Sequence, residues 1–140
     1  MATSADPALV DTSAAVAFLV ADHTHHEATF EALAQRRLGL AGHAAFETFS
    51  VLTRLPPPAR RTPAAVSRLL ATNFPHTRFL GSDRAATLLT ALAENGLAGG
   101  SVYDALVGAT AVEHGLTLIT RDKRALDTYR ALDVAVELLQ

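Results

Sequence analysis

Short apolar runs alternate with longer segments of helical period along this chain. Ala8–Leu9–Val10 reads as a buried strand ending at Asp11, after which Thr12 and Ser13 are placed to cap a helix running to about Val20. Residues 22–37 suggest a second helix with Ala28, Phe30, Leu33 and Ala34 on its apolar side, and residues 38–41 a brief strand closed by Gly42. A third helix spans 43–55 until three consecutive prolines, which cannot continue it. Thr62–Pro63 has the cap-then-proline order that opens a helix, here to about Phe74. Residues 78–80 are a strand candidate. Ser82 caps a helix to Glu94 that Asn95–Gly96 ends, and Ser101 starts another that stops before Gly115. Residues 116–120 form the clearest strand, β-branched and apolar. A helix over 122–132 and a final alternating strand over 134–138 follow.

Strands alternating with helices predict an α/β fold: a three-layer α/β/α sandwich around a short-stranded, mainly parallel sheet. A length of 140 residues suits a single domain, 1–140, with one hydrophobic core. The apolar stretch 14–21 is too short to span a bilayer and lacks a basic leader segment, so no membrane association is expected. Cysteine is absent, which removes disulfides and zinc–thiolate sites and fits a cytoplasmic protein.

Charge narrows the choice of partner. A net charge of −2 excludes a uniformly basic nucleic-acid binder. Yet Arg54, Arg60 and Arg61 surround the prolines, and Arg121, Lys123, Arg124 and Arg130 crowd the last quarter. These are either solvated helix faces or a basic rim that positions a phosphate backbone.

Four acids occupy positions that suit chemistry. Asp11 ends the first strand, where open α/β sheets bind ligands, and it can equally be a helix cap. Glu47 shares a helical stripe with Ala44, Val51 and Leu55, a costly place for a carboxylate unless it is paired, metal-bound or at an edge with its head solvated. Asp104 follows Ser101 at capping-box spacing, which serves the helix start and still allows it to face a sheet-end cleft. Asp122 lies two residues beyond the best strand, as cap or ligand. Two unit charges about 4 Å apart repel by roughly 4 kcal/mol at an effective dielectric of 20, so four gathered carboxylates call for a cation. Hard oxygen ligands favour Mg²⁺ or Mn²⁺. Thr12, Ser13 or Thr120 offers a hydroxyl to order a bound water. Asp6, Asp83, Asp127, Asp133 and the remaining glutamates read as surface charges. His23, His25 and His26 lie close together but lack the companions of a zinc site.

Val10–Asp11–Thr12–Ser13–Ala14, Glu47 within residues 46–52, Tyr103–Asp104–Ala105–Leu106–Val107 and Leu118–Ile119–Thr120–Arg121–Asp122 form an ordered set. In that order and spacing the chain, from about Val10 to Leu132, resembles the PIN-domain ribonucleases, in particular the VapC toxins of bacterial toxin–antitoxin pairs. The resemblance implies a Mg²⁺- or Mn²⁺-dependent endoribonuclease acting on a structured cellular RNA, tRNA or rRNA, to inhibit translation. It also implies a homodimer neutralised by a cognate VapB antitoxin whose basic tail enters the acidic pocket. Asp11, Glu47, Asp104 and Asp122 would be the acidic quartet. Asp11 and Asp104 would bind metal, with Glu47 and Asp122 acting directly or through water. Ser13 and Thr120 would be supporting hydroxyls, and Arg54, Arg60, Arg61 and Arg121 RNA-backbone contacts.

Two other readings are open. The same fold without useful catalysis would be an RNA-binding or assembly module whose acids engage a basic partner. A receiver-like or phosphatase-like domain built on Asp11 fits less well. Ser13 stands where a phosphatase has a second aspartate, and a receiver's strand-end lysine is missing: the only lysine, Lys123, follows Asp122.

Overall fold

Four strands run in one direction in the computed structural model, which describes residues 6–140. β1 (Ala8–Val10), β2 (Leu38–Leu40), β3 (Leu118–Thr120) and β4 (Val136–Leu138) form one sheet in the order β2-β1-β3-β4, parallel at every pairing. Residues 1–5, within the expected domain, lie outside the described residues. Parallel strands need crossover connections, and helices supply them. α1 (Thr12–Leu19) and α2 (His26–Leu33) join β1 to β2. α3 (His43–Thr53), α4 (Pro63–Asn73), α5 (Ser82–Glu94) and α6 (Ser101–His114) join β2 to β3. A 3-10 turn at Lys123–Ala125 and α7 (Leu126–Ala131) lead to β4.

Successive strand residues face opposite sides, which divides the core into two halves. Ala8, Val10, Leu38, Leu40 and Ile119 pack against Ala14, Ala15, Phe18, Leu33 and Phe74. Leu9 and Leu118 pack against Ala44, Val107, Ala111, Ala125 and Tyr129. The expected three-layer α/β/α sandwich is thus present, with a sheet that is parallel throughout. Leu9, Val10, Leu118 and Ile119 are fully buried, each stabilising the fold by about 1.5–3 kcal/mol relative to exposure. Among the described residues, no helix is long and apolar enough to cross a membrane.

Several elements differ from expectation in ways with clear causes. Of the caps offered for α1, Asp11 takes the role and Thr12 and Ser13 do not: its carboxylate accepts from the Ala14 N–H at 3.1 Å. α2 starts at His26, because residues 21–25 have little to bury and form turns. It ends at Leu33, ahead of the segment in which the Arg37 carbonyl accepts from the Ala8 N–H. Its buried positions are Thr29 and Leu33, while Phe30 is half exposed and stacks on Phe18. The strand expected at 78–80 is reduced to a single bridge between Ala41 and Arg78. Gly81, not Ser82, precedes α5, and no side chain caps it. The segment after β3 begins as the 3-10 turn, capped by Asp122. Of the acids read as surface charges, Glu137 pairs with Arg36 at 2.8 Å and Glu113 accepts from the Gly81 N–H, so these two join elements together.

Candidate active site

β1 and β3 are adjacent and parallel, so their carboxyl ends open at the same edge of the sheet. The Asp11 N–H donates to the Ile119 carbonyl at 3.1 Å, which fixes the first acid beside the end of β3. Asp11 is 5% exposed, and both carboxylate oxygens are engaged. Oδ1 accepts from the Ser13 hydroxyl at 2.6 Å and from the Ala14 N–H, and Oδ2 accepts from the Tyr129 hydroxyl at 2.9 Å. A hydroxyl has one proton to give. Because Ser13 spends its proton on Asp11, the 3.3 Å contact between Ser13 Oγ and Thr120 Oγ1 has Thr120 as donor. Thr120 in turn accepts from the Asp122 N–H at 3.0 Å, and Ser13 from the Arg121 N–H at 2.9 Å. The result is a directed chain from the Asp122 backbone through two hydroxyls to the Asp11 carboxylate. Ser13 and Thr120 therefore serve Asp11.

Tyr129 carries no signal in the sequence as a site residue. The only trace of its role is a glycine inside a helix, Gly108 of α6. A Cβ there would come within 3.2 Å of Tyr129 Cδ1 and 3.0 Å of Val134 Cγ2. Glycine in such a place marks a close approach, and here it leaves room for the ring that reaches Asp11. Burial and the neighbouring Asp11 charge hold the Tyr129 phenol well above its usual range, so it stays a neutral donor.

The other acids are more open. Asp104 lies in the first turn of α6, but no capping box forms: the Ser101 hydroxyl bonds to the Ala98 backbone and no side chain caps this helix. Burial and then the charges of Asp122, Asp11 and Glu47 push Asp104 up to about 6, with Arg124 opposing them. One side chain thus senses the other three acids, which ties the quartet together electrostatically. Asp11 is also raised, by burial, against the opposing effect of Ser13, Thr120, Ala14 and Tyr129. Asp122 binds the Arg124 N–H at 2.9 Å and lies 3.5 Å from its guanidinium.

Glu47 sits where α3 places it, and Gly42 sets the start of that helix. Gly42 has φ +53, and a Cβ there would meet Thr110 Oγ1 at 2.5 Å. The buried face of α3 is Ala44, Thr48 and Leu52 rather than the stripe through Val51 and Leu55. Glu47 consequently lies at the edge, its side chain 42% exposed and 3.6 Å from His43. Its head is solvated, so no burial cost demands a partner.

Among the arginines expected at the RNA, Arg54, Arg60 and Arg61 are exposed around the prolines. Arg121 is committed: its guanidinium donates to Thr29 Oγ1 at 3.1 Å and to the Gln140 carbonyl at 3.2 Å, bracing α2 to the chain end. The histidine trio forms no ligand set, since His26 Nδ1 pairs with the Ala17 carbonyl and His23 Nδ1 accepts from the His25 N–H.

Comparison with known proteins places the chain. The PIN domain family model matches residues 8–131. This chain belongs to the PIN-domain family. Within it the chain falls among the VapC proteins, as the motif order implied. It is 46% identical over 130 residues to Ribonuclease VapC27 of Mycobacterium tuberculosis (strain ATCC 25618 / H37Rv), covering 93% of this chain and 95% of that one. Two solved structures share the PIN-domain fold. VapBC2 from Rickettsia felis, bound to a DNA fragment from its promoter, aligns with a TM-score of 0.68 at 14% identity, covering 96% of this chain and 100% of that chain. VapBC-5 from Mycobacterium tuberculosis, a member of the VapBC family of toxin–antitoxin systems, aligns with a TM-score of 0.57 at 25% identity, covering 96% and 98%.

Proposed function

We propose that this PIN domain is a metal-dependent endoribonuclease toxin. It would cleave a structured cellular RNA, a tRNA or rRNA, to inhibit translation, and be neutralised by a cognate VapB-type antitoxin. The observation that carries this reading is that burial and the charges of Asp122, Asp11 and Glu47 all raise Asp104, so carboxylates from four separated segments lie within electrostatic reach of one another. The ribonuclease name of the VapC27 relative and the toxin–antitoxin assembly of VapBC-5 support it.

Carboxylate oxygens suit Mg²⁺ or Mn²⁺. Among the described residues, no three His, Asp or Glu side chains converge as a complete ligand set. Mg²⁺ commonly uses one or two carboxylates and fills its remaining positions with water and substrate phosphate, so this arrangement fits it. Asp11 and Asp104 would hold the ion directly, Glu47 and Asp122 directly or through water. A bound ion would supply charge stabilisation at phosphorus and a more acidic water.

The chain's own contribution is orientation. Ser13, Ala14 and Tyr129 fix the Asp11 carboxylate, and Thr120 holds Ser13 to that task. Exposed Arg54, Arg60 and Arg61 would meet the RNA backbone, with Arg121 adding only what its two internal bonds leave over. In this reading the protein is a cytoplasmic homodimer. An arginine from the antitoxin tail would neutralise the acids in place of the metal.

The incomplete convergence of the acids also favours a second reading, a catalytically weak module whose pocket engages a basic partner. One experiment separates the two: incubation of total bacterial RNA with purified, antitoxin-free protein in Mn²⁺ or Mg²⁺, against EDTA and against Asp11→Asn. The nuclease reading expects discrete fragments that need metal and fall at least about 100-fold in the variant, as removal of one transition-state group typically does. Absence of cleavage by folded protein in either metal selects the binding module.

A further inference from the structure

A groove of about 420 Å³ opens beside the acids, and Ser13 and Asp122 belong to its wall as well as to the site. His23, His25, Arg121 and Arg124 furnish its basic lining, with Thr12 beside them. We propose that this groove is a subsite for the RNA phosphate backbone on one side of the cleaved bond, so that His23, His25 and Arg124 position the substrate. The proposal rests on the nuclease reading above for its choice of ligand.

Beside the Asp122 carboxylate, the arginines and histidines of the lining can donate to a ligand. Arg124 is almost wholly exposed, with its Nε 3.5 Å from Asp122, so four of its five N–H donors remain for a ligand. The Arg121 guanidinium is held rigid by Thr29 and Gln140, a fixed positive charge at the groove wall. His23 accepts at Nδ1 from the His25 N–H at 3.0 Å, which leaves Nε2–H as the ring's donor. Burial, together with the charges of His25, Arg121 and His26 and against that of Asp22, disfavours protonation of His23. The neutral ring donates without adding charge, and Arg121 and Arg124 supply the positive charge that a phosphate meets. The acids alone would repel an RNA strand. A basic strip that begins at Asp122 and leads away from it gives the strand a favourable approach and leaves the scissile phosphate at the acids.

Fluorescence anisotropy tests this with a labelled single-stranded RNA oligonucleotide and Asp11→Asn protein as the uncleaving parent. His25→Ala and Arg124→Ala are added singly and together. Arg84→Ala, on the exposed side of α5, is the control, and thermal unfolding checks each fold. The double variant is expected to bind at least fivefold more weakly, and Arg124→Ala to reduce the log–log salt slope by about 0.7, the value for one single-strand phosphate contact. The control should match the parent. Unchanged affinity and slope in the double variant overturn the subsite, even if wild-type protein cleaves RNA. Weakened binding in a protein that never cleaves upholds the subsite and overturns the nuclease. A parent that binds no RNA overturns both.

Discussion

The two halves of the acidic site are built differently. Asp11 is 5% exposed and held by three donors, two of them side chains from separate segments. Glu47 and Asp104 stand at the mouth, one with its head in solvent and the other surrounded by like charge. The first half is finished by the fold itself, because leaving a buried carboxylate oxygen without a donor would cost about 1–3 kcal/mol or more. The second half is left open: Asp104 is raised by burial and by its acidic neighbours, a condition that a cation or a basic side chain would relieve. A fixed base of operations and an unsatisfied mouth are what a site needs to bind a cation without rearranging its core.

The sharpest way to break that contrast is Tyr129→Phe. The ring keeps its place against Gly108, but Asp11 Oδ2 loses the hydroxyl that donates to it at 2.9 Å. We expect a loss of about 1–3 kcal/mol in unfolding free energy and a cleavage rate reduced roughly tenfold, the kinetic equivalent of about 1.4 kcal/mol. Thermal denaturation and initial-rate assays check both. An intermediate effect is expected from pH in the absence of metal. Asp104 has a folded pKa of about 6 against an ordinary 3.8. A raised carboxyl pKa means the folded state holds the proton more tightly, so its contribution to stability is complete below pH 3.8 and is lost as pH rises through 6. Asp104→Asn should flatten that fall in Tm between those values, and a slope equal to wild type would contradict the assignment. Glu47→Gln should do least. Its pair with His43 is solvated and worth about 0–1 kcal/mol, so Tm should hold while cleavage falls only severalfold. A loss as large as that of Tyr129→Phe would show that the mouth is as tightly built as the base.

What the sequence made legible follows the same division. β1 and β3 stood out because fully buried parallel strands read as continuous apolar runs, and Asp11 and Asp122 were singled out because such runs end at the ligand edge. The phase of α3 was misread. Val51 and Leu55 count as apolar and Thr48 as polar, yet Thr48 is wholly buried and its hydroxyl has no partner among the described residues. A threonine can spend its methyl on the core, and that shift of one residue moves Glu47 from the stripe to the edge. Asp104 matched a capping box by spacing alone, but the Ser101 hydroxyl turned to the Ala98 backbone. Tyr129 was beyond sequence reasoning, since its contact with Asp11 spans 118 residues and depends on the room left at Gly108. The groove beside Asp122 was hidden for a similar reason: the histidine trio read as a failed zinc site only until the fold set two of its members opposite Arg124.

We propose that the four acids form one cation site, in which Asp104 is raised by burial and by the charges of the other three. Calorimetric titration of Mn²⁺ into wild-type protein and Asp104→Asn, each at pH 7.5 and pH 5, is the decisive test. Saturable binding by wild type at pH 7.5, marked weakening at pH 5 as Asp104 takes up its proton, and weak binding by the variant at both values are expected. Equal binding by wild type and variant, or wild-type binding that does not change between the two pH values, would contradict it.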